Sequence, residues 1–211
     1  MSSILEQKLR NLGSPYVRSS QLRLFLPKSA DQRFSQVKRA QQKGLLIQIR
    51  RGLYLLGGYL TPRRAHPFEL AQFIYGPSYI SLESALSYHG LIPEAVYTIC
   101  SVSIHRKKTF KTPLGLFSYD RLPAERFFVG VERIEEPPYV FFMATPWKAI
   151  CDYVYCNKKD WTSLKPLFES LRIEPEDLPR PSPEELSELQ SFYHQERINR
   201  FLRGVAQELN L

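Results

Sequence analysis

Residues 29–58 read SADQRFSQVKRAQQKGLLIQIRRGLYLLGG, and the reading of this stretch decides the fold of the amino-terminal third. Ser29 stands where an N-cap belongs, Gln32 three residues on completes a capping box, and Asp31 is well placed in the first turn. The spacing predicts a helix that runs to Lys43 and stops at Gly44, the residue type that accepts the left-handed backbone of a helix end. At about 100° per residue, Ala30, Phe34, Val37 and Ala40 fall on one side, and Gln32, Ser35, Gln36, Arg39 and Lys43 on the other. The outward face therefore carries Gln and Arg, the side chains whose paired hydrogen-bonding groups recognise adenine and guanine edges. Beyond Gly44, LLIQIRRGLYLLGG is two β-rich runs separated by Arg50, Arg51 and Gly52, the pattern of a hairpin with a basic tip.

Upstream, apolar Ile4, Leu5, Leu9 and Leu12 predict a first helix over 4–12, stopped by Gly13 and Pro15. Ser19 or Ser20 can cap a second over 21–26, ended by Pro27. Three helices followed by a hairpin is the order of a winged helix-turn-helix. In that arrangement the third helix enters the major groove and the wing tip approaches backbone or minor groove, where Arg is favoured. A winged helix-turn-helix is thus expected over residues 1–60. Its candidate DNA contacts are Gln32, Ser35, Gln36, Arg39 and Lys43 on the third helix and Arg50 and Arg51 at the tip. On an arbitrary helix such a polar face is merely solvated.

The charge distribution favours the other reading. Residues 1–66 hold 13 Lys and Arg against Glu6 and Asp31, a net of +11, whereas residues 67–211 carry a net of −3. An excess confined to one end implies a discrete module held against phosphate, and double-stranded DNA is the expected partner. With 211 residues and 43% hydrophobic content, the chain can bury two small cores. No apolar run approaches the ~20 residues that span a bilayer, and the amino terminus alternates apolar with charged residues, so a cytoplasmic protein with no membrane partner is expected. Cys100, Cys151 and Cys156 are odd in number and lack a CxxC pair; they read as buried small hydrophobes.

Residues 57–67, GGYLTPRRAHP, lack periodicity and read as a linker. A second domain over 67–211 then opens with a helix at 67–75. Ser81 can cap another whose Leu82, Ala85 and Leu86 face inward and which Gly90 ends. Strands are expected at 97–105, 115–119, 127–132 and 139–144, forming a small antiparallel sheet. Thr145 and Pro146 then start a helix with Ile150, Tyr153 and Val154 inward. A short helix is expected within 161–171. Ser182 and Glu185 form a capping box for one long terminal helix, about 183–209, whose Arg197, Arg200 and Arg203 read as a solvated basic stripe. The fold class expected for the whole chain is α+β.

Catalytic signatures are missing from the sequence. The carboxylates are scattered and not clustered near a lysine, as a Mg²⁺-dependent nuclease requires. His66, His89, His105 and His194 are too dispersed for a metal motif, and His89 reads as a satisfied, partly buried imidazole. No phosphate-cradling glycine loop or nucleophile elbow is present, so no catalysis, metal or cofactor is assigned.

Four segments carry a resemblance to a known family: RRGLYLL at 50–56, YISLESALSYHGLIPE at 79–94, TFKTPLGLFSYDRLP at 109–123 and ATPWKAICDYVY at 144–155. In this order they resemble the AbiEi antitoxins of type IV toxin-antitoxin systems, which act in abortive infection of phage-attacked bacteria. The resemblance implies a winged helix-turn-helix that represses its own operon by binding its own promoter. It also implies a carboxy-terminal domain that counters a cognate nucleotidyltransferase-like toxin, with no stable complex required. The family usually has an acidic residue before the lysine of ATPWKAICD; here Trp147 takes that place. Two alternatives stand beside this reading: a free-standing winged-helix regulator without antitoxin activity, and a nucleic-acid-processing enzyme, against which the scattered carboxylates argue.

Overall fold

The computed structural model describes residues 4–27, 29–94, 96–123, 125 and 127–211. The chain opens with α1 (Ile4–Arg10), β1 (Tyr16–Arg18), α2 (Ser19–Leu22), α3 (Ala30–Gln42), β2 (Leu46–Arg50) and β3 (Leu53–Leu56). The strands form an antiparallel sheet in the order β1-β3-β2, with Tyr16 opposite Leu55 and Leu46 opposite Leu56. β1 is absent from the sequence reading because three residues are too few to show a period; pairing with β3 defines it. Leu9, Val17, Leu22, Leu26, Ala40, Leu45, Leu46 and Leu56 close a small core beneath α3.

The end of α3 follows the expectation: Gly44 takes φ +68°, and the Leu45 N–H donates to the Ala40 carbonyl at 2.9 Å. Its start does not. The Ser29 side chain makes no capping hydrogen bond, so the box with Gln32 is not formed. Instead Arg33 Nη1 donates to the Pro27 carbonyl at 3.1 Å and ties the first turn to the preceding segment. Nor does Ser19 or Ser20 cap α2. Both lie inside its first turn, and the Ser19 N–H is taken by the Gly52 carbonyl at 2.9 Å. Phe34, placed on the inner face by periodicity, is 72% exposed. The leucine core meets α3 along Ala40 and Val37, and Phe34 lies roughly 120° around the helix from Ala40.

The second part comprises α4 (Pro67–Ile74), β4 (Ser78–Ile80), α5 (Leu82–Tyr88), β5 (Thr98–Ser103), β6 (Lys108–Thr112), β7 (Gly115–Arg121), β8 (Val131–Glu136), β9 (Tyr139–Ala144), α6 (Pro146–Cys156), α7 (Lys165–Ser170), α8 (Pro183–Tyr193) and α9 (Glu196–Leu209). The whole is an α+β fold. The sheet is neither small nor antiparallel throughout. Six strands run β6-β7-β5-β4-β9-β8, with β4 parallel to β9 and β5 parallel to β7. Parallel neighbours need crossover connections, not tight turns. Here β6 turns back onto β7, which carries β7 to the flank of β5, and β9 reaches β4 only after the whole intervening sheet. β6, KTFKT, went unread because its lysines mask the strand pattern; charged residues on an edge strand discourage further pairing. The strand expected at 127–132 begins four residues later, and Phe127 packs on Tyr79 with ring centroids 4.9 Å apart.

At α6 the sequence reading holds: Thr145 Oγ1 accepts from the Lys148 N–H at 3.3 Å and Pro146 occupies the first turn. Ser182 Oγ likewise accepts from the Glu185 N–H at 3.1 Å and starts α8. The single long terminal helix is broken, however, by His194, at φ +44°. The break lets α8 and α9 fold against each other, which buries Leu186, Leu189, Phe192, Ile198, Leu202 and Val205 in one cluster. Of the three arginines in the stripe only Arg197 is drawn in; Arg200 and Arg203 are exposed, as a solvated stripe requires. Arg197 donates to the carbonyls of Val154 and Lys159, both at 2.8 Å, and neutralises the end of α6. Arg200 pairs with Asp160 at 3.8 Å, and Arg203 pairs with Glu196. Cys100 and Cys151 are buried, whereas Cys156 is only half-buried. His89 Nε2 lies 2.8 Å from the Ala144 carbonyl, a satisfied imidazole as expected.

Residues 57–67 are held in place. Tyr16 packs on Phe73 at 4.7 Å between centroids, and its hydroxyl meets the His66 N–H at 3.0 Å. Arg63 pairs with buried Glu69 at 2.5 Å. Tyr16, Ile49, Leu53 and Leu55 thereby join the core of the second part. His66 stacks on Phe141 at 5.2 Å, and its Nδ1 is buried with no hydrogen-bond partner among the described residues. Burial lowers its pKa below the ordinary 6.5, outweighing the upward pull of Glu136 and Glu69. The unfolded chain then binds the proton more readily than the folded one, so His66 favours folding above 6.5 and that contribution is lost as pH falls through the folded value. Denaturant midpoints measured across this range are expected to fall more steeply with acid for the wild type than for His66→Gln. Parallel profiles would show that His66 is not what senses the proton.

Candidate nucleic-acid interface

The structure brings most of the anticipated contact residues to one side of α3 without gathering all seven. Gln32, Ser35, Arg39 and Lys43 are exposed, and Gln36 is half-buried. Gln36, Arg39 and Lys43 line a groove shared with α1 and residues 24–27, whereas Ser35 is not among its lining residues. Exposed Lys38 lies on the outward side of α3, and exposed Arg23 precedes it. The sequence reading missed both. Lys38 lies about 160° from Ala40, so the position of the buried stripe, once known, identifies it. Gln41 Nε2 donates to Gln48 Oε1 at 3.2 Å and braces α3 against β2.

The hairpin tip divides its two arginines. Arg51 and Gly52 form the tight turn, with Gly52 at φ +82°, and Arg51 is exposed. Arg50 is half-buried, its Nε enclosed without a hydrogen-bond partner among the described residues. Its charge reaches the buried Tyr119 phenol of β7, whose pKa burial raises and Arg50 pulls down. β2 and β6 lie close together, which turns Arg50 toward the second sheet and leaves Arg51 as the outward cation of the tip.

The segment ATPWKAICDYVY builds a polar cluster of a different kind. Residues Trp147 to Asp152 are all buried. Lys148 Nζ lies 3.0 Å from Asp152 Oδ1 and donates to Tyr193 Oη at 3.0 Å. Asp152 also accepts from Tyr193 at 2.5 Å, from Tyr79 at 3.0 Å and from Ser81 Oγ at 2.7 Å. Ser81, expected to cap α5, spends its hydroxyl here. The ammonium stands 3.7 Å from the Phe192 ring centroid. Burial lowers the Lys148 pKa against the opposing attraction of Asp152, and burial raises those of Tyr79 and Tyr193. Lys148 and Asp152 are fully enclosed, so the arrangement fastens α6 to β4 and α8 and presents nothing to a substrate. Trp147 is enclosed too, and its Nε1 donates to the Pro179 carbonyl at 2.7 Å.

Among the described residues no three His, Cys, Asp or Glu side chains come together as a metal site, and no helix is long and apolar enough to cross a membrane. No family model matches the chain, and no curated protein matches its sequence.

Proposed function

We propose that the chain binds double-stranded DNA through its amino-terminal third as a winged helix-turn-helix and represses its own promoter. One observation carries this reading: the order α1-β1-α2-α3-β2-β3, with its β1-β3-β2 sheet, leaves Gln32, Arg39, Lys43 and Arg51 exposed on a segment of net charge +11. The proposed recognition surface is α3, with Arg51 as the wing contact. The further proposal, that the second part counters a nucleotidyltransferase-like toxin in the cytoplasm, is supported by the sequence resemblance to the AbiEi antitoxins. A regulator without antitoxin activity remains the second reading. It is favoured by the burial of every residue from Trp147 to Asp152, which withdraws the middle of the ATPWKAICDYVY segment, Trp147 included, from the surface.

The test is a salt titration of the full-length protein with duplex from its own promoter. Each phosphate contact is expected to contribute a slope of about −0.9 in log K against log salt. Gln36→Ala or Arg39→Ala is expected to cost roughly 1 to 3 kcal/mol on the promoter and less on random duplex, whereas Arg51→Ala weakens both alike. An affinity indifferent to salt would overturn the DNA-binding reading. Co-expression with the toxin encoded beside it tests the antitoxin role: an Arg39→Ala/Arg51→Ala variant made from a foreign promoter is expected to rescue growth, and failure of the wild type to do so removes that role.

A further inference from the structure

The groove beside α3 combines two features that a solvated helix face does not. Its lining exposes large apolar side chains, with Ile4 of α1 74% exposed and Leu24 77% exposed, and includes Phe25. Its lining is also cationic: Lys8 of α1 stands 5.9 Å from the Phe25 ring centroid, and α3 contributes Arg39 and Lys43. Among the described residues neither Arg39 nor Lys43 has an ion-pair partner. The space measures about 670 Å³ and is open along the surface. We propose that this groove is the docking site for an amphipathic acidic helix of a partner protein.

The chemistry selects that occupant. A groove lined by both apolar side chains and cations matches a helix whose apolar anchors recur at i, i+3 or i+4 and i+7 and whose flanks carry Glu or Asp. A second copy docking through the same face would set two segments of net charge +11 against each other, and like-charge juxtaposition is strongly unfavourable. A lipid surface suits an extended amphipathic helix lying flat, whereas α1 has seven residues and the apolar wall is concave. Arg39 and Lys43 also belong to the proposed DNA contact, so an occupied groove excludes duplex. That consequence rests on the DNA-binding reading; the docking site itself does not.

The experiment uses the full-length protein and a labelled synthetic peptide of about four helical turns with Leu at the anchor positions and Glu on the flanks. Fluorescence anisotropy is expected to show binding that falls about tenfold or more in Ile4→Ser/Leu24→Ser and again in Arg39→Ala/Lys43→Ala, with a scrambled peptide of the same composition binding as weakly as the first variant does. Equal binding of the scrambled peptide, or none of the ordered one, overturns the proposal. So does sedimentation showing a dimer that Ile4→Ser/Leu24→Ser dissolves, or adsorption to anionic vesicles that the same variant abolishes, because another occupant then holds the face. Duplex competition is measured separately. If the peptide pattern holds while the protein binds no duplex, the docking site stands and the DNA-binding reading falls.

Discussion

Replacing Asp152 by alanine is expected to destabilise the protein by about 3 to 5 kcal/mol, measured by chemical denaturation. The carboxylate is fully buried and accepts from Tyr79, Ser81 and Tyr193 while facing the Lys148 ammonium. Its removal leaves three hydroxyls without their acceptor and a buried cation without its counter-charge, with only the Tyr193 oxygen left to accept from it, and such groups carry their desolvation penalty. The Coulombic attraction of the pair is not the reason for the size of the effect. Burying both charges offsets much of that attraction, so the pair contributes far less than the loss of one member costs. A Lys148→Met/Asp152→Leu double variant is therefore expected to lose less stability than the two single losses combined. Strict additivity, or an Asp152→Ala protein with an unchanged midpoint, would show that the cluster is not the fastening described here.

The second large effect is expected at Gly204, inside α9. A Cβ there would stand 1.8 Å from the Thr162 carbonyl oxygen and 2.7 Å from its carbon. Those are backbone atoms and cannot swing aside like a side-chain tip. Helix propensity alone favours alanine over glycine by about 1 kcal/mol. The clash opposes this: α9 must move off residues 162–163, and overpacking of this kind costs about 1 to 3 kcal/mol or more. Gly204→Ala is therefore expected to lower the unfolding midpoint despite the better helix former. Gly58→Ala, with open space where its Cβ would stand, serves as the control and is expected to change little. A stabilised Gly204→Ala protein would mean that propensity wins and that the close approach of α9 is not maintained.

Local signals determined what lies close in sequence. Gly44 ended α3 because a positive φ is least costly for glycine, and Thr145 with Pro146 opened α6 because cap and first turn are adjacent in the chain. Leu82, Ala85 and Leu86 face inward, as their spacing indicated. The +11 charge of the first third is a property of composition and survives any fold. What depended on partners distant in sequence was settled only in three dimensions. Phe34 obeys the helical period yet faces solvent, because which arc of α3 is buried depends on where Leu9, Leu22 and Leu45 lie. Arg50 and Arg51 are neighbours of one type, and the approach of β2 to β6 turns one inward and leaves the other outside. Ser81 held the position of a cap and instead gave its hydroxyl to Asp152, 71 residues away. A capping hydroxyl accepts from a backbone N–H through its oxygen, whereas here the Ser81 O–H donates to a buried carboxylate, a charge-assisted bond made only by the tertiary fold. The parallel pairs β4–β9 and β5–β7 have no local signature, because their neighbours meet only after long crossovers whose closure the whole core stabilises.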